Sequence, residues 1–311
     1  MAGRKAGAYF LFNAAYTGIS GNANAISELG VQQKAENGGL SVRYFVVTKK
    51  HILGGLLCLA VLALAGCFIA GSAAVPTAVR PRKLPIYCVQ TDQKQAALSF
   101  DVAMEADGIP LLIDILERYG VKATFFVAGS WAEKYPQAAK ALRDAGHDVE
   151  NHSDDHPHMP ELSKEEMLQS IRACNEKVEA ATGKRPTLFR APYGDYDDAL
   201  LDVLEEMGMQ CIQWDVDSLD WKDKSADQIL SRVTAQTTPG SIIRFHNDAK
   251  NTSAALPGVI EALQQDGYSL VPVSRLVRKE GYSLNQEGRQ IPASAPQETA
   301  ELPKTTASSP A

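Results

Sequence analysis

Two histidines four residues apart, His152 and His156, are the residues of this sequence best suited to bind a metal. They follow a short β-forming run. If the chain turns helically after His152, residues i and i+4 share a face and both rings can reach one ion. A hydrolytic zinc site needs about three protein ligands and keeps one position for water. The pair therefore predicts two ligands of a divalent metal site, and the alternative is that both rings are solvated.

Further polar residues fall where predicted strands end. Asp101 follows the first strand, Arg190 ends the fourth, Asp220 and Trp221 follow the fifth, and His246 ends the sixth. In barrels of parallel strands the active site forms at the carboxyl ends of the strands. Each residue has a structural explanation too, such as a turn cap, an ion pair or a core histidine. All of them are predicted at the carboxyl ends of strands, along one rim, and this shared placement favours an active site over separate structural roles.

The elements that must position these residues alternate regularly from about residue 95. Ser163 with Glu166, and Ser225 with Gln228, form capping boxes that begin two helices, and another helix is predicted over 131–146. Sequential β–α repetition predicts a parallel sheet, either open or closed into a barrel. The predicted strands are 96–100, 123–127, 147–151, 187–190, 209–214, 241–246 and 269–273.

Five ordered motifs carry a family resemblance. They are Ser99-Phe100-Asp101, His152 to Pro157, Arg190 to Gly194, Asp217 to Trp221, and Phe245-His246. Together they resemble the motifs of polysaccharide deacetylases, which form carbohydrate esterase family 4, the chitooligosaccharide-deacetylase homology domain. The resemblance covers roughly residues 95 to 278. The N-terminal region and the sequence after Phe100 are similar to the sporulation-type branch of Gram-positive bacteria.

The resemblance implies an α/β fold, a distorted, TIM-like (β/α)7 barrel, and metal-dependent removal of N-acetyl groups from peptidoglycan or chitooligosaccharide. The metal expected is zinc, with cobalt as an alternative. The residues to which it assigns roles are His152 and His156 as metal ligands, Asp101 as general base held by Arg190, His246 as general acid tuned by Asp220, Tyr193 as an oxyanion donor through its backbone N–H, and Trp221 in the sugar-binding wall.

Two residues depart from the family pattern. Val102 stands where a second, metal-binding aspartate is usual, so we expect Asp107 in the following loop to supply the third ligand, with Glu105 a less favoured substitute. Asp107 could instead cap the next helix, and water could complete a weaker two-histidine site. Arg244 stands where a leucine usually lines the acetyl pocket. Its guanidinium would narrow or polarise that pocket unless the side chain points outward.

The composition is that of a globular protein of 311 residues, with 45% hydrophobic and 22% charged residues. A formal net charge of −6 argues against a general nucleic-acid binder, and no nucleic-acid partner is expected. The cysteines outside the apolar N-terminal run number three, Cys88, Cys174 and Cys211, and predict no disulfide framework.

The segment Ile52 to Val75 carries no charge over 24 residues and predicts a single membrane-spanning helix or export signal. We expect a cell-membrane protein with its catalytic domain outside. Cleavage of the signal, or a lipoprotein acylated at Cys67, would be the alternatives. The predicted divisions are a disordered extension over 1–41, with a true start near Val42 as one hypothesis, a signal anchor over 42–80, a linker over 81–94, the catalytic domain over 95–279, and a disordered tail over 280–311.

Three functions are compatible with these residues. The favoured one is an exported polysaccharide deacetylase. Val102 and Arg244 motivate a catalytically silent glycan-binding protein of the envelope as the second. The third is an amidohydrolase that acts on a small non-sugar amide.

Overall fold

The computed structural model describes residues 49–71 and 82–293, with the backbone alone for 62–71. The chain divides into two compact units, 1–78 and 79–311. The described part of the first is one helix, α1 (Lys49–Gly71). No helix within the described ranges is long and apolar enough to cross a membrane, so the predicted anchor over 52–75, part of which lies outside those ranges, finds no support there. The predictions for 1–41 and for the tail beyond 293 also lie outside them.

The second unit alternates short strands with helices, as the sequence predicts. Its strands are β1 (Cys88–Val89), β2 (Gln95–Val102), β3 (Thr124–Val127), β4 (Asp148–Asn151), β5 (Leu188–Phe189), β6 (Gln210–Cys211), β7 (Val216–Asp217), β8 (Ile242–His246), β9 (Ser269–Leu270), β10 (Tyr282–Leu284) and β11 (Arg289–Pro292). Its helices are α2 (Ile109–Arg118), α3 (Gly129–Lys134), α4 (Pro136–Asp144), α5 (Lys164–Thr182), α6 (Asp198–Glu206), α7 (Ala226–Gln236), α8 (Thr252–Gln265) and α9 (Val273–Leu276).

The main sheet is parallel and curled, in the order β6-β5-β4-β3-β2-β8-β7, and β9 pairs with the start of β2. The predicted parallel sheet is therefore confirmed. The strands β6 and β7 lie at its two ends, and residues 212–215 connect them. Because all strands of a parallel sheet run the same way, their carboxyl ends meet along one edge, where the polar residues of the motifs come together.

The predicted linker over 81–94 is part of the folded domain. Ile86 forms a parallel bridge with Ile212, and Cys88 an antiparallel bridge with Ser241. This segment thereby joins the residues after β6 to the residues before β8, and β1 continues into a three-stranded sheet with β10 and β11. The domain thus extends beyond 95–279 on both sides. Such short strands are fixed by long-range pairing, so they show no periodicity in the sequence.

Two helix predictions have different outcomes. Both capping boxes are present, at the starts of α5 and α7. The single helix predicted over 131–146 is wrong, since the chain forms α3 and α4 with Tyr135 between them. Pro136 explains the break, because proline has no N–H to donate and its ring disfavours a helical conformation in the residue before it.

Strand alternation separates two apolar cores. Leu98 and Phe100 belong to the core between the sheet and its helices, whereas Ala97 and Phe126 belong to the core enclosed by the curl. Val102 is fully buried in the helix-side core, on the same face as Phe100. Ser99, Asp101 and Arg244 face the other way, into the enclosed interior, whereas Asn151 at the end of β4 donates to Ile171 and Asn175 of α5.

Glu150 is the most buried carboxyl of this interior, with no exposed surface. One oxygen, Oε2, accepts the N–H groups of Thr187 at 2.7 Å and Leu188 at 2.8 Å, while Oε1 has no partner among the described residues. Burial raises the pKa of Glu150 to about 7, against the opposing effect of the two N–H donors. A group whose pKa is raised on folding destabilises the fold as the pH rises through that range.

We predict that Glu150→Gln removes a pH dependence of stability. Wild-type stability should fall between pH 5 and pH 8 by about 3 kcal/mol relative to the variant, because only the glutamate must ionise inside the fold. Urea unfolding of both proteins across this range measures the difference. Parallel stability curves would show that Glu150 ionises equally easily in the folded and unfolded chain.

Candidate active site

A buried ion pair joins Asp101, at the carboxyl end of β2, to Arg190, directly after β5. Arg190 Nη1 donates to Asp101 Oδ1 at 2.8 Å; the arginine has no exposed surface and 8% of the Asp101 side chain is exposed. Burial alone would raise the pKa of Asp101, but the Arg190 charge, with further positive charge nearby, lowers this pKa well below its usual range. Asp101 is therefore an ionised carboxylate whose free oxygen faces the site.

The two histidine rings lie together, with centroids 4.9 Å apart. The Nδ1 of His152 lies 2.8 Å from the carbonyl oxygen of Arg190, so that Nδ1–H donates and Nε2 carries the lone pair. Burial lowers the pKa of His152 to about 4 and lowers the pKa of His156 as well. Both rings are therefore neutral at neutral pH, which is the form that binds a metal.

His246, at the end of β8, forms a second carboxylate–imidazole pair. Its Nδ1 lies 2.8 Å from Asp220 Oδ1, and Asp220 Oδ2 accepts the His246 backbone N–H and the Thr252 hydroxyl. Burial opposes protonation of His246, but the Asp220 hydrogen bond and the charges of Asp101 and Asp220 outweigh it and raise the pKa of His246. This pairing keeps the ring oriented and favours the imidazolium, as a general acid requires.

The remaining two predicted residues lie at the rim. Tyr193 is 59% exposed and Trp221 is 52% exposed. The Tyr193 ring packs edge-on against His156 at 4.6 Å and stacks on His158 at 4.1 Å. The Trp221 backbone N–H donates to Asp220 Oδ1 at 2.9 Å, and the ring lies under Lys222 Nζ at 4.6 Å.

The pair of imidazoles fits a divalent metal ion, since both rings are neutral and the tautomer of His152 is set by the Arg190 carbonyl. No group of three or more His, Cys, Asp or Glu side chains within residues 49–71 and 82–293 could hold such an ion. Asp107 therefore forms no such group with the two histidines in this structure, and its part as the third ligand stays a prediction. Asp107 is exposed in the turn before α2, and it does not cap that helix, whose N-cap residue is Gly108. In the same loop, the Glu105 carbonyl accepts hydrogen bonds from Trp131 Nε1 and Asn247 Nδ2.

The structure resolves the direction of Arg244, which the sequence left open. Arg244 points into the site, where Nη2 donates to Asp217 Oδ2 at 2.7 Å. Two residues that support the site were given no role from the sequence. Ser99 Oγ accepts a hydrogen bond from Arg190 Nη2 at 2.8 Å, and Thr252 donates to Asp220 at 2.6 Å. Ser99 was visible two residues before Asp101 on the same strand face, whereas Thr252, at the start of α8, gave no signal.

Known proteins with similar sequences include peptidoglycan deacetylases. A family profile described as polysaccharide deacetylase matches residues 89–212. The chain is 35% identical over 202 residues to the peptidoglycan-N-acetylglucosamine deacetylase PgdA of Listeria monocytogenes, covering 65% of this chain and 42% of that protein. It is 30% identical over 195 residues to the peptidoglycan-N-acetylmuramic acid deacetylase PdaA of Bacillus subtilis, covering 61% of this chain and 74% of that protein. The chain thus spans less than half the length of PgdA.

A similar solved structure is that of BA3943, a CE4 family pseudoenzyme from Bacillus anthracis. It matches with a TM-score of 0.60 at 31% identity, covering 68% of this chain and 72% of that one. A mutant of that protein has restored enzymatic activity. A fold like that of this chain therefore occurs in both silent and active forms.

We predict that Arg190→Met destabilises the domain by about 3–5 kcal/mol, because it leaves the Asp101 carboxylate buried without a partner. The double variant Arg190→Met/Asp101→Asn should recover part of this loss, since no uncompensated charge remains. Urea unfolding of the wild type, both single variants and the double variant measures the coupling. A double variant no more stable than Arg190→Met would show that the lost hydrogen bonds, rather than the charge, cause the effect.

Proposed function

The chain belongs to the polysaccharide deacetylase family, and from this premise we propose that it hydrolyses N-acetyl groups of a cell-wall polysaccharide, with peptidoglycan favoured over chitooligosaccharide. The observation that carries the proposal is the meeting of three groups at one end of the sheet: the Asp101–Arg190 pair, the His246–Asp220 pair and the two neutral histidines. We further infer that the curled sheet is the distorted (β/α)7 barrel of this family.

The proposed reaction assigns one proton transfer to each charged pair. Water adds to the acetamide carbon, and Asp101, held through its other oxygen by Arg190, takes a proton from that water. The backbone N–H of Tyr193 donates to the oxyanion that forms. When the C–N bond breaks, His246 gives its proton to the leaving nitrogen, so the products are acetate and a free amine. The different surroundings of the two groups keep base and acid in opposite protonation states.

The proposal includes a divalent metal, zinc or cobalt, held by His152 and His156. When bound, the ion would supply Lewis-acid activation of water and of the acetyl carbonyl. Asp107 lies in no group with them, so in this proposal water or substrate would complete the coordination. With only two neutral protein ligands we expect weaker metal binding than a three-ligand site gives.

We propose that the protein acts outside the cell, where peptidoglycan lies, and that residues near 52–75 direct its export. The exposed rings of Tyr193 and Trp221 would pack against sugar rings of an extended glycan. Fractionation of cells into cytoplasm, membrane and medium tests the location. Recovery in the cytoplasm alone would contradict it.

A silent glycan-binding protein is the second candidate, and three observations favour it. The described residues offer no third metal ligand, Arg244 brings an additional cation into the site, and a similar protein is a pseudoenzyme. Acetate release from peptidoglycan, measured with and without added zinc, separates the candidates. Glycan binding without acetate at any zinc concentration would support the silent form, and release only from small amides would support the amidohydrolase.

We predict that Asp101→Asn abolishes acetate release while the protein still binds metal, because the base is lost and both histidines remain. His152→Ala should lose both properties. Metal content and acetate release are measured on the same samples, with Asp107→Ala as the matched control that keeps both. Metal loss in Asp107→Ala would restore that residue as a ligand.

We predict that Asp220→Asn shifts the alkaline limb of the pH–rate profile to lower pH. The Asp220 carboxylate raises the pKa of His246, so the acid form survives to higher pH in the wild type. Without that charge, burial lowers the pKa and the proton is lost earlier. The rate of acetate release measured between pH 5 and 10 reports the shift, and an unmoved alkaline limb would exclude His246 as the acid.

A further inference from the structure

Arg244 is a charged residue in the interior to which the proposed reaction assigns no role. It lies on β8 two residues before His246, and its neighbours Ile243 and Phe245 pack in the helix-side core. Alternation therefore directs Arg244 to the same face as His246. Only 9% of its side chain is exposed.

The guanidinium is anchored along one edge. Nη2 donates to Asp217 Oδ2 at 2.7 Å, and the guanidinium carbon lies 3.6 Å from the centroid of the Trp214 ring. The Nε atom is buried and has no hydrogen-bond partner in the described part of the chain.

The other edge faces the base. Arg244 Nη1 lies 4.0 Å from Asp101 Oδ2, which is too far for a hydrogen bond, while Oδ1 is held by Arg190. The oxygen that Asp101 deprotonates in the proposed reaction becomes one of the two oxygens of the released carboxylate. A carboxylate formed beside Asp101 Oδ2 therefore forms within reach of Arg244 Nη1.

We propose that Arg244 binds the carboxylate of the acid that the reaction releases, and so makes the acyl side of the site selective for small carboxylates. This inference rests on the proposed function for the origin of its ligand. A guanidinium recognises a carboxylate by charge-assisted hydrogen bonds, whereas the leucine usual in this family offers no donor. Acetate should consequently remain bound after cleavage and inhibit the enzyme.

The test compares acetate with acetamide, its neutral isostere, by calorimetric titration of the full chain, with added zinc and again after chelation. The wild type should bind acetate more tightly than acetamide under both conditions. Arg244→Leu should weaken acetate binding by about tenfold or more and leave acetamide binding unchanged, because a charge-assisted hydrogen bond is lost. Arg244→Lys, which keeps the charge, should be intermediate.

Arg185→Leu is the matched control, because Arg185 forms a surface pair with Glu179 and should bind acetate like the wild type. Unchanged acetate affinity in Arg244→Leu, no measurable acetate binding by the wild type, or acetate binding abolished by chelation alone would each overturn the proposal. If Arg244→Leu does not fold, equal affinities in Arg244→Lys and the wild type would overturn it. Acetate release from peptidoglycan, measured separately, shows whether the proposed function itself fails.

Discussion

The fold of the site depends on one buried guanidinium. Arg190 donates from Nη1 to Asp101, from Nη2 to Ser99 Oγ and the Gln213 carbonyl, and from Nε to the Ile212 carbonyl. These bonds cross the enclosed interior from β2 to the segment that follows β6. Removing a guanidinium from water is unfavourable, so the chain keeps this one charged only by surrounding it with acceptors. The same residue accepts the His152 Nδ1–H through its backbone carbonyl, so one residue orients both the carboxylate and the first imidazole.

The site separates its imidazoles by their surroundings rather than by their type. His152 is buried and His156 half-buried, and no carboxylate of the described residues is hydrogen-bonded to either ring, so their pKa values fall. His246 is also half-buried, yet Asp220 lies against its Nδ1 and its pKa rises. Identical side chains that follow β4 and end β8 thereby differ in protonation, since the first two are neutral and the third favours the imidazolium. This division depends on Asp220 being fixed by Thr252, a contact between the loop after β7 and the start of α8.

The sequence predicted what local patterns determine. The two capping boxes located the starts of α5 and α7, and the polar residues after β-rich runs pointed to side chains that the structure brings together, such as Asp101 with Arg190 and His152 with His156. Pairing between distant segments escaped it: β1, β10 and β11 are two to four residues long and have no readable period. Asp107 was assigned on sequence proximity to Asp101, which does not reveal that it lies exposed in the turn before α2. Contacts of the same loop, such as those of the Glu105 carbonyl with Trp131 and Asn247, join residues far apart in the chain. The direction of the Arg244 side chain depends on which residues of β8 face the helices and which face the interior. The first four residues of β8 are all buried, so no alternation of buried and exposed positions reveals this.

The two departures from the family pattern change the charge of the site in the same direction. Val102 brings no carboxylate and extends β2 by one regular residue, packed in the helix-side core and in register with Val127. Arg244 adds a cation on the inner face. A site with one anion fewer and one cation more holds a divalent cation less strongly and a carboxylate more strongly. Under the proposed function, the two departures together shift the balance of the site from the metal toward the released acid, and Arg244 is the residue through which we propose that this shift acts.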